Sequence, residues 1–242
     1  MTGRLQIASV ILSVFALGSL LGGCATTPGP ENDPYESFNR KMFDINDALD
    51  RNVALPVAKA YEHVVPEPAR DGVHNVLANL DSPVTLANDL LQGEIKLAFQ
   101  TVGRAVVNSS IGLGGLIDVA TPMGIPFHEK DFGETLGVYG VGEGPYLFLP
   151  FFGPSNPRDL TGRVVDIGFD PLTYAGMREK GWWMGSRQLL SLLDERSRNI
   201  DTMDELRRSS VDLYATLRSL YRQHRNAEIH GGKPDLQNLP NI

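Results

Sequence analysis

The sequence predicts an all-α fold with one glycine- and proline-rich irregular segment and a helical hairpin near the C-terminus. Three observations support this prediction. Apolar residues recur at the three- and four-residue spacing of amphipathic helices over most of the chain. Most of these stretches are bounded by proline or glycine. The 242 residues include 25 glycines and 16 prolines, and 42% are hydrophobic, which is typical of a folded chain with many turns.

The first segment, residues 1–23, is predicted to be a lipoprotein signal peptide. An apolar run extends from Ile7 to Leu21. It is shorter than the ~20 residues of a membrane-spanning helix and suits the core of a signal peptide. The run ends in a leucine, two glycines and Cys24, the only cysteine of the chain. This order resembles the bacterial lipoprotein processing box, so Cys24 is predicted to carry lipid; the alternative is an ordinary cleavage site followed by a chance cysteine.

The residues from Cys24 onward are predicted to form a lipidated tether over 24–33, because they include two prolines and one glycine. Several acyl chains anchor a protein stably, whereas a single chain anchors it only marginally. Ala25 follows the cysteine, with no acidic residue there to suggest retention at the inner membrane. By resemblance to sorted lipoproteins, the expected location is the periplasmic face of the outer membrane, held by the lipid anchor.

The N-terminal half of the mature chain is predicted to contain four short helices. Proline lies near the start of the first three, at Pro34, Pro68 and Pro83, and Gly93 ends the third. Each helix has an apolar stripe along one face. In chain order the stripes comprise Phe38, Met42, Ile45 and Leu49; Val73, Val76, Leu77 and Leu80; Val84, Ala87, Leu90 and Leu91; and Ile95, Ala98, Phe99, Val102 and Val106.

The stretch from Ile111 to Pro157 is the least helical part, because glycines and prolines interrupt it while its apolar content stays high. Two interpretations remain open. Valine and tyrosine favour strands, which suggests a β-hairpin over residues 138–149. The other interpretation is an irregular loop with short helices that lines a cavity or a membrane interface.

The last helical region has apolar residues at alternating spacings of three and four, which is typical of a narrow seam packed on another helix. The seam comprises Met203, Leu206, Ser210, Leu213, Leu217 and Leu220. Residues 182–193 supply a partner, so a helical hairpin within the domain is predicted. The tail over 229–242 is expected to be mobile.

Composition and motifs exclude several classes of function. The formal charge of −7 argues against nucleic acid, whose phosphates require a basic surface. A single cysteine excludes an internal disulfide or a multi-cysteine metal site. Gly140 and Gly142 begin a dinucleotide-type pattern, but Pro145 occupies the position of its third glycine. No metal-ligand spacing and no nucleophile with its base is recognisable, so neither an enzyme, a metal nor a cofactor is expected.

Several sequence blocks stand in a fixed order between Asp33 and Arg225. The longest is FGETLGVYGVGEGPY over residues 132–146. The others include residues 33–40, 66–70 and 91–93, Arg104 with Asn108, residues 118–120, and Arg158 with Asp159. Together they resemble the MlaA (VacJ-type) family of outer-membrane lipoproteins of the phospholipid-trafficking pathway. The resemblance covers nearly the whole mature chain and defines a helical domain over residues 34–228.

This resemblance implies a ring-like protein in the inner leaflet of the outer membrane, with a central amphipathic channel. Through it, phospholipids mislocalised to the outer leaflet would pass toward the periplasm. Their removal would maintain the lipid asymmetry of the outer membrane. The implied partners are phospholipid, a trimeric porin of the outer membrane, and a periplasmic soluble lipid carrier that supplies an ATP-driven inner-membrane complex. The alternative functions are a structural lipoprotein that braces a porin without moving lipid, and an envelope hydrolase.

Two groups of residues are candidates for contact with lipid. Residues of the glycine-rich block are expected to line or gate the channel, since glycine permits tight turns and tyrosine offers an apolar face with a polar tip. They are Gly137, Tyr139, Gly140, Gly142, Gly144 and Tyr146. On the first helix, Phe38, Met42 and Phe43 are expected to reach the membrane interface. Loop packing and core packing are the respective alternatives.

Overall fold

The computed structural model describes residues 32–174 and 180–231. The predicted signal peptide, Cys24 and most of the tether lie outside the described residues, as does the tail from residue 232 onward. The helices are α1 (Glu36–Leu49), α2 (Leu55–Val64), α3 (Glu67–Leu91), α4 (Ile95–Ser110), α5 (Phe132–Val138), α6 (Pro157–Phe169), α7 (Lys180–Arg198), α8 (Ile200–Ser209) and α9 (Leu213–Ile229). Two strands, β1 (Leu147–Leu149) and β2 (Gly153–Ser155), form the only sheet of the described residues. The all-α class is therefore confirmed.

Helices α1 and α2 form one continuous rod, because the residues at both junctions keep right-handed helical dihedrals. A π-helical turn over Asp50–Ala54 joins them. At ~1.5 Å per residue the rod is roughly 43 Å long. At the turn, Asp50 pairs with Arg196 of α7 and Arg207 of α8, at 2.6 and 2.7 Å. The first helix is thus longer than predicted and is tied at its middle to the C-terminal region.

Helix α3 replaces two predicted helices. The sequence predicted a boundary at Pro83, but the helix continues through it to Leu91. Proline removes one backbone donor and usually ends or kinks a helix. Here the residues beyond it are fixed by their own contacts: Asn88 and Asp89 are fully buried, and Asn88 donates to Asp166 of α6 at 2.9 Å. The prediction of two helices was wrong because these distant partners outweigh the local effect of proline.

The C-terminal region contains three helices rather than a simple hairpin. The apolar seam is divided, because α8 ends at Ser209 and α9 begins after Asp212, whose side chain accepts a hydrogen bond from the Ala215 amide at 3.1 Å. Helix α7 packs mainly on α2 and α3, while α9 packs on α5 and β2. The predicted hairpin of residues 182–193 with the whole seam is therefore wrong: the seam is divided between α8 and α9, and α7 packs mainly on other helices.

The glycine- and proline-rich segment combines both interpretations left open by its sequence. It contains the short helix α5 and irregular turns, followed by an antiparallel hairpin in which Leu147 pairs with Ser155. The hairpin lies later in the chain than the stretch predicted. Helix α1 binds it through two asparagines one heptad apart: Asn39 donates to the Tyr146 carbonyl and accepts from the Phe148 amide, and Asn46 binds the Leu149 carbonyl.

Packing partners follow one another in a closed circuit. Helix α1 contacts β1, β1 pairs with β2, β2 contacts α9, and α9 contacts α5. The circuit continues from α5 to α6, α3, α7 and α2, which returns to α1 through the π-helical turn. Helix α4 packs on α3. This order agrees with the ring that the family resemblance implies.

Burial is inverted relative to a water-soluble globular protein. Among the described residues, only eight hydrophobic side chains are buried, whereas seventeen polar or charged ones are. Helix α4 illustrates the inversion. Four of the five residues of its predicted apolar stripe, including Phe99 and Val106, are exposed, while Thr101, Arg104 and Asn108 are buried. The outside of the helices is therefore apolar and the inside polar.

The small apolar core lies between α1, β1 and α9. Its buried members are Tyr146, Phe148 and Tyr214. Phe43 packs edge-on against Phe148 and Tyr214, with ring centroids at 5.6 and 5.8 Å. The tether residue Asp33 reaches the same region, where it accepts hydrogen bonds from Tyr214 and from Arg218. The last residues assigned to the tether are therefore bound into the fold.

Helices α5 and α6 approach so closely that only glycine fits between them. A Cβ on Gly162 would lie 2.2 Å from the Gly133 backbone nitrogen. We expect Gly162→Ala to force the helices apart and to lower the free energy of unfolding by about 3 kcal/mol, as measured by denaturant titration. Gly168→Ala on the same helix is the control, because its Cβ would meet nothing nearer than 3.9 Å. Equal stability of both variants would contradict this account of the contact.

Candidate functional site

The inside of the fold contains a polar cavity of about 240 Å³ between α3, α4 and the loop after α4. Helix α3 contributes residues one, two or three turns apart, and α4 contributes residues one or two turns apart, so each helix turns a polar face to the cavity. The lining consists of His74, Asn75, Ala78, Asn79, Ser82, Thr85, Thr101, Arg104, Asn108, Asp118, Phe127 and His128. Since one water takes ~30 Å³ in the liquid, the cavity has room for a chemical group rather than for a single water.

One wall of this cavity is a fixed ion-pair network. Arg104 donates to Asp118 and to the Thr121 hydroxyl, each at 2.9 Å, and its guanidinium lies 5.3 Å from the centre of the Phe127 ring. Asn108 donates to Asp118 at 3.1 Å and accepts from the Ala120 amide at 3.0 Å. Although desolvation acts in the opposite direction, the hydrogen bonds from Thr121 and Arg104 hold the pKa of Asp118 below its ordinary value. The wall therefore keeps its charges at all ordinary pH values.

Two histidines also line this cavity, each backed by a buried carboxylate. His128 Nε2 lies 3.1 Å from both oxygens of Asp89, which also accepts from Thr101 at 2.6 Å. His74 Nδ1 lies 2.9 Å from Asp194. Within the part of the chain that is described, no group of three or more histidine, cysteine, aspartate or glutamate side chains is arranged to hold a metal ion. These pairs thus orient polar side chains rather than form a metal centre.

A second cavity, of about 210 Å³, lies further along α3, toward α5 and α9. It is strongly acidic. Its lining consists of Asp81, Val84, Thr85, Glu129, Lys130, Asp131, Glu134 and Glu228. Thr85 lines both cavities, so they meet at this residue. The polar interior is therefore a pair of adjoining cavities along α3.

Glu134 gives the second cavity a measurable pH dependence. Burial raises the pKa of Glu134 to about 7, even though Lys130 pairs with it. Because the folded state holds this proton more tightly than the unfolded state, stability falls as pH rises from 4.5 to about 7, by about 3 kcal/mol. We expect Glu134→Gln to remove this fall from the curve of unfolding free energy against pH. The exposed Glu205→Gln should leave the curve unchanged; a Glu134→Gln curve parallel to wild type would refute the assignment.

The predicted gate residues do not line either cavity. Tyr146 is buried in the aromatic core, Gly137 packs near Ile229, and Gly144 has a positive φ of 72° beside Pro157. The other three, which are Tyr139, Gly140 and Gly142, are exposed. The Tyr139 hydroxyl donates to the Leu91 carbonyl. These contacts agree with loop packing, the alternative for this block, except at Tyr146, which belongs to the core.

The predicted membrane-interface residues fall into two groups. Phe38 is exposed, so it remains available to lipid. Met42 and Phe43 pack against the aromatic core instead. Further exposed apolar residues lie on α4 and α7, among them Phe99 at 75%, Trp182 at 75% and Leu189 at 69% exposure. The surface that can contact lipid is therefore wider than the sequence suggested.

The cavity residues themselves were missed. Their signal was present: Thr101, Arg104 and Asn108 are spaced by three and four on α4, and His74, Ala78 and Ser82 are each four residues apart on α3. Such a polar stripe is ordinarily interpreted as the solvated face of a helix. Only the exposed position of the apolar stripe opposite reveals that the polar face points inward.

Fold and cavities together define a class: a helical protein with a polar interior and an apolar exterior, as expected of a protein whose outside contacts lipid. No helix of the described residues combines the length and apolar character needed to cross a bilayer. A model of the MlaA lipoprotein family matches residues 31–228. The chain belongs to the MlaA family of lipoproteins, which are membrane-associated.

Two curated relatives and one solved structure define the similarity. The chain is 36% identical to the intermembrane phospholipid transport system lipoprotein MlaA of Haemophilus influenzae, over 94% of this chain and 91% of the relative. It is 37% identical to the protein of the same name from Escherichia coli (strain K12), over 95% and 93%. A solved structure described as the structural basis for maintenance of bacterial outer membrane lipid asymmetry matches with a TM-score of 0.74 at 35% identity, covering 81% of this chain and 98% of that chain.

Proposed function

We propose that this protein is a passive channel by which phospholipids mislocalised to the outer leaflet of the outer membrane leave that leaflet. The observation that carries this proposal is the inverted burial: polar side chains and two adjoining cavities inside, apolar side chains outside. A phospholipid has a charged head and two apolar tails, and moving the head through hydrocarbon is costly. A polar path for the head beside an apolar surface for the tails lowers that barrier.

The proposed passage breaks no covalent bond, so the protein needs neither a nucleophile nor a cofactor apart from its own lipid anchor. A passive path has no direction of its own. We therefore propose that a soluble periplasmic lipid carrier accepts the phospholipid and makes removal one-way, and that the protein associates with a trimeric porin in the outer membrane. The names of the relatives, which place them in an intermembrane phospholipid transport system, support phospholipid as the molecule that is moved.

The proposal is tested by the phospholipid content of the outer leaflet in intact cells. Deleting the gene should raise that content several-fold over wild type, and restoring the full-length protein should return it to the wild-type value. The alternative is a lipoprotein that braces a porin without moving lipid. It predicts a change in porin assembly with no change in outer-leaflet phospholipid, and that result would overturn the proposal.

Attachment through Cys24 is tested separately. We expect Cys24→Ser to leave the protein soluble in the periplasm or unprocessed, because only the acyl chains hold the mature chain stably at a bilayer. Outer-leaflet phospholipid should then rise to the level of the deletion. Membrane fractionation and lipid analysis measure both effects; a mutant recovered in the outer membrane with normal lipid asymmetry would contradict the role of the anchor.

A further inference from the structure

The junction between the two cavities contains a polar group with no protein partner. Thr85 is only 5% exposed, yet it lines both cavities. No described residue forms a hydrogen bond with the Thr85 hydroxyl. The hydroxyl oxygen is also not completely shielded from solvent, unlike the other unpartnered buried polar atoms. Since buried hydroxyls are ordinarily hydrogen-bonded, this one is left for whatever occupies the cavities. The junction of the two cavities therefore presents a hydroxyl that can contact a polar ligand.

The second cavity has an excess of negative charge. Five carboxylates and one lysine line it. Most of the carboxylates are paired: Asp81 with Arg187, Asp131 and Glu228 with Arg225, and Glu134 with Lys130. Glu129 is the exception, since it has no ion-pair or hydrogen-bond partner in the described part of the chain. Its carboxylate is the free charge of this cavity.

These carboxylates are accessible to water but surrounded by protein. Glu129 is exposed, and nearly half of the Asp81 side chain is accessible. Nevertheless, burial raises the pKa of both groups, and each is repelled by neighbouring carboxylates. This combination is expected of side chains in a narrow cavity, where low-dielectric walls strengthen the field of a charge. An unpaired carboxylate there acts on a ligand more strongly than it does on an open surface.

The charge and the junction point to one ligand chemistry. We propose that the acidic cavity receives the cationic amine of a zwitterionic phospholipid headgroup, and that Glu129 determines this specificity while Thr85 contacts the headgroup at the junction. The inference rests on the proposed function. An ammonium group fits better than a metal ion, because the described carboxylates do not cluster as metal ligands. An anionic headgroup without an amine is repelled by the same cavity.

The experiment compares two lipids that differ only in the headgroup. Full-length acylated protein is reconstituted in vesicles that contain phosphatidylethanolamine or phosphatidylglycerol carrying the same label on an acyl chain. A membrane-impermeant quencher then reports the rate at which each label crosses the bilayer. We expect the ethanolamine lipid to cross at least three-fold faster than the glycerol lipid. Glu129→Gln should reduce the ratio of the two rates, and Glu129→Lys should bring it to one or below.

Control variants separate the parts of the proposal. Glu205→Lys, an equal charge change on the exposed surface of α8, should leave the ratio of rates unchanged. Thr85→Val, which removes the hydroxyl at nearly constant shape, should slow both lipids several-fold without changing their ratio, and Thr85→Ser should restore the rates. Normal rates in Thr85→Val would remove Thr85 from the proposal.

Three outcomes would overturn the inference. Equal rates for both lipids in wild type and in Glu129→Lys, each above that of protein-free vesicles, would refute the selectivity and leave the passage intact. Rates no higher than in protein-free vesicles would refute the proposed function and the inference with it. If free ethanolamine at millimolar concentration slowed both labels equally, the cavity would bind soluble amines rather than the lipid headgroup.

Discussion

Arg225→Ala is expected to lower the free energy of unfolding by about 3–5 kcal/mol. This arginine of α9 is buried and donates to Asp159 of α6 at 2.9 Å, to Asp131 at 2.7 and 2.9 Å, and to Glu228 at 2.8 Å. Removing it leaves the buried carboxylate of Asp159 without this partner, which is the costly case for an internal ion pair. Since domains are stable by only ~5–15 kcal/mol, the loss is a large part of the total.

Denaturant titration in detergent measures this loss. Arg208→Ala is the control, because that exposed arginine donates, within the described part of the chain, only to the Asp204 carbonyl of its own helix. The acid side of the stability curve supplies a second readout. Despite desolvation, Arg225 lowers the pKa of Asp131 and Asp159, so its contribution is present above about pH 4 and is lost as pH falls below that value. A loss under 1 kcal/mol with an unchanged acid limb would contradict this role.

Asn39→Leu is expected to destabilise the protein by a similar amount, about 3–5 kcal/mol. The Asn39 side chain is completely buried and donates to Asp33 at 2.7 Å and to the Tyr146 carbonyl at 3.0 Å. It also accepts from the Phe148 amide at 2.9 Å. Leucine has a similar volume but offers none of these hydrogen bonds, and each polar group left unsatisfied costs ~1–3 kcal/mol.

The second asparagine of α1 provides a graded comparison. Asn46 binds the Leu149 carbonyl at 2.9 Å and the Phe151 amide at 3.0 Å, where the hairpin is more exposed. Water can replace its hydrogen bonds, so Asn46→Leu should cost about 1 kcal/mol. Thermal unfolding measures both variants under the same conditions. If the two substitutions were equally harmful, burial would not be the cause of the difference.

The helical class and most helix positions were predictable, because periodicity reports which residues share a face. The sequence did not report what that face contacts. The stripe of Phe99 and Val106 would be buried in a protein surrounded by water, but the same stripe faces outward here. Pro83 shows a related limit. Local propensity predicts that the helix ends there. It continues because Asn88, beyond the proline, is held by a residue far along the chain, Asp166.

The cavities could not be predicted because the sequence does not show which helix faces point inward. Nevertheless, several residues that carried the family resemblance are members of the buried polar networks. Arg104, Asn108 and Asp118 form one wall of the first cavity, and Asp159 binds the guanidinium of Arg225. The residues by which the family was recognised thus form buried hydrogen bonds. The sequence alone does not identify their partners.

The inverted burial also has a calorimetric consequence. Exposure of apolar area raises the heat capacity on unfolding, whereas exposure of polar area lowers it. Folding of this chain removes many polar side chains from water and leaves many apolar ones outside, so its heat-capacity change per residue should fall below the ~12–15 cal/mol/K of ordinary domains. Its stability curve is then flat, and the temperatures of heat and cold denaturation lie unusually far apart.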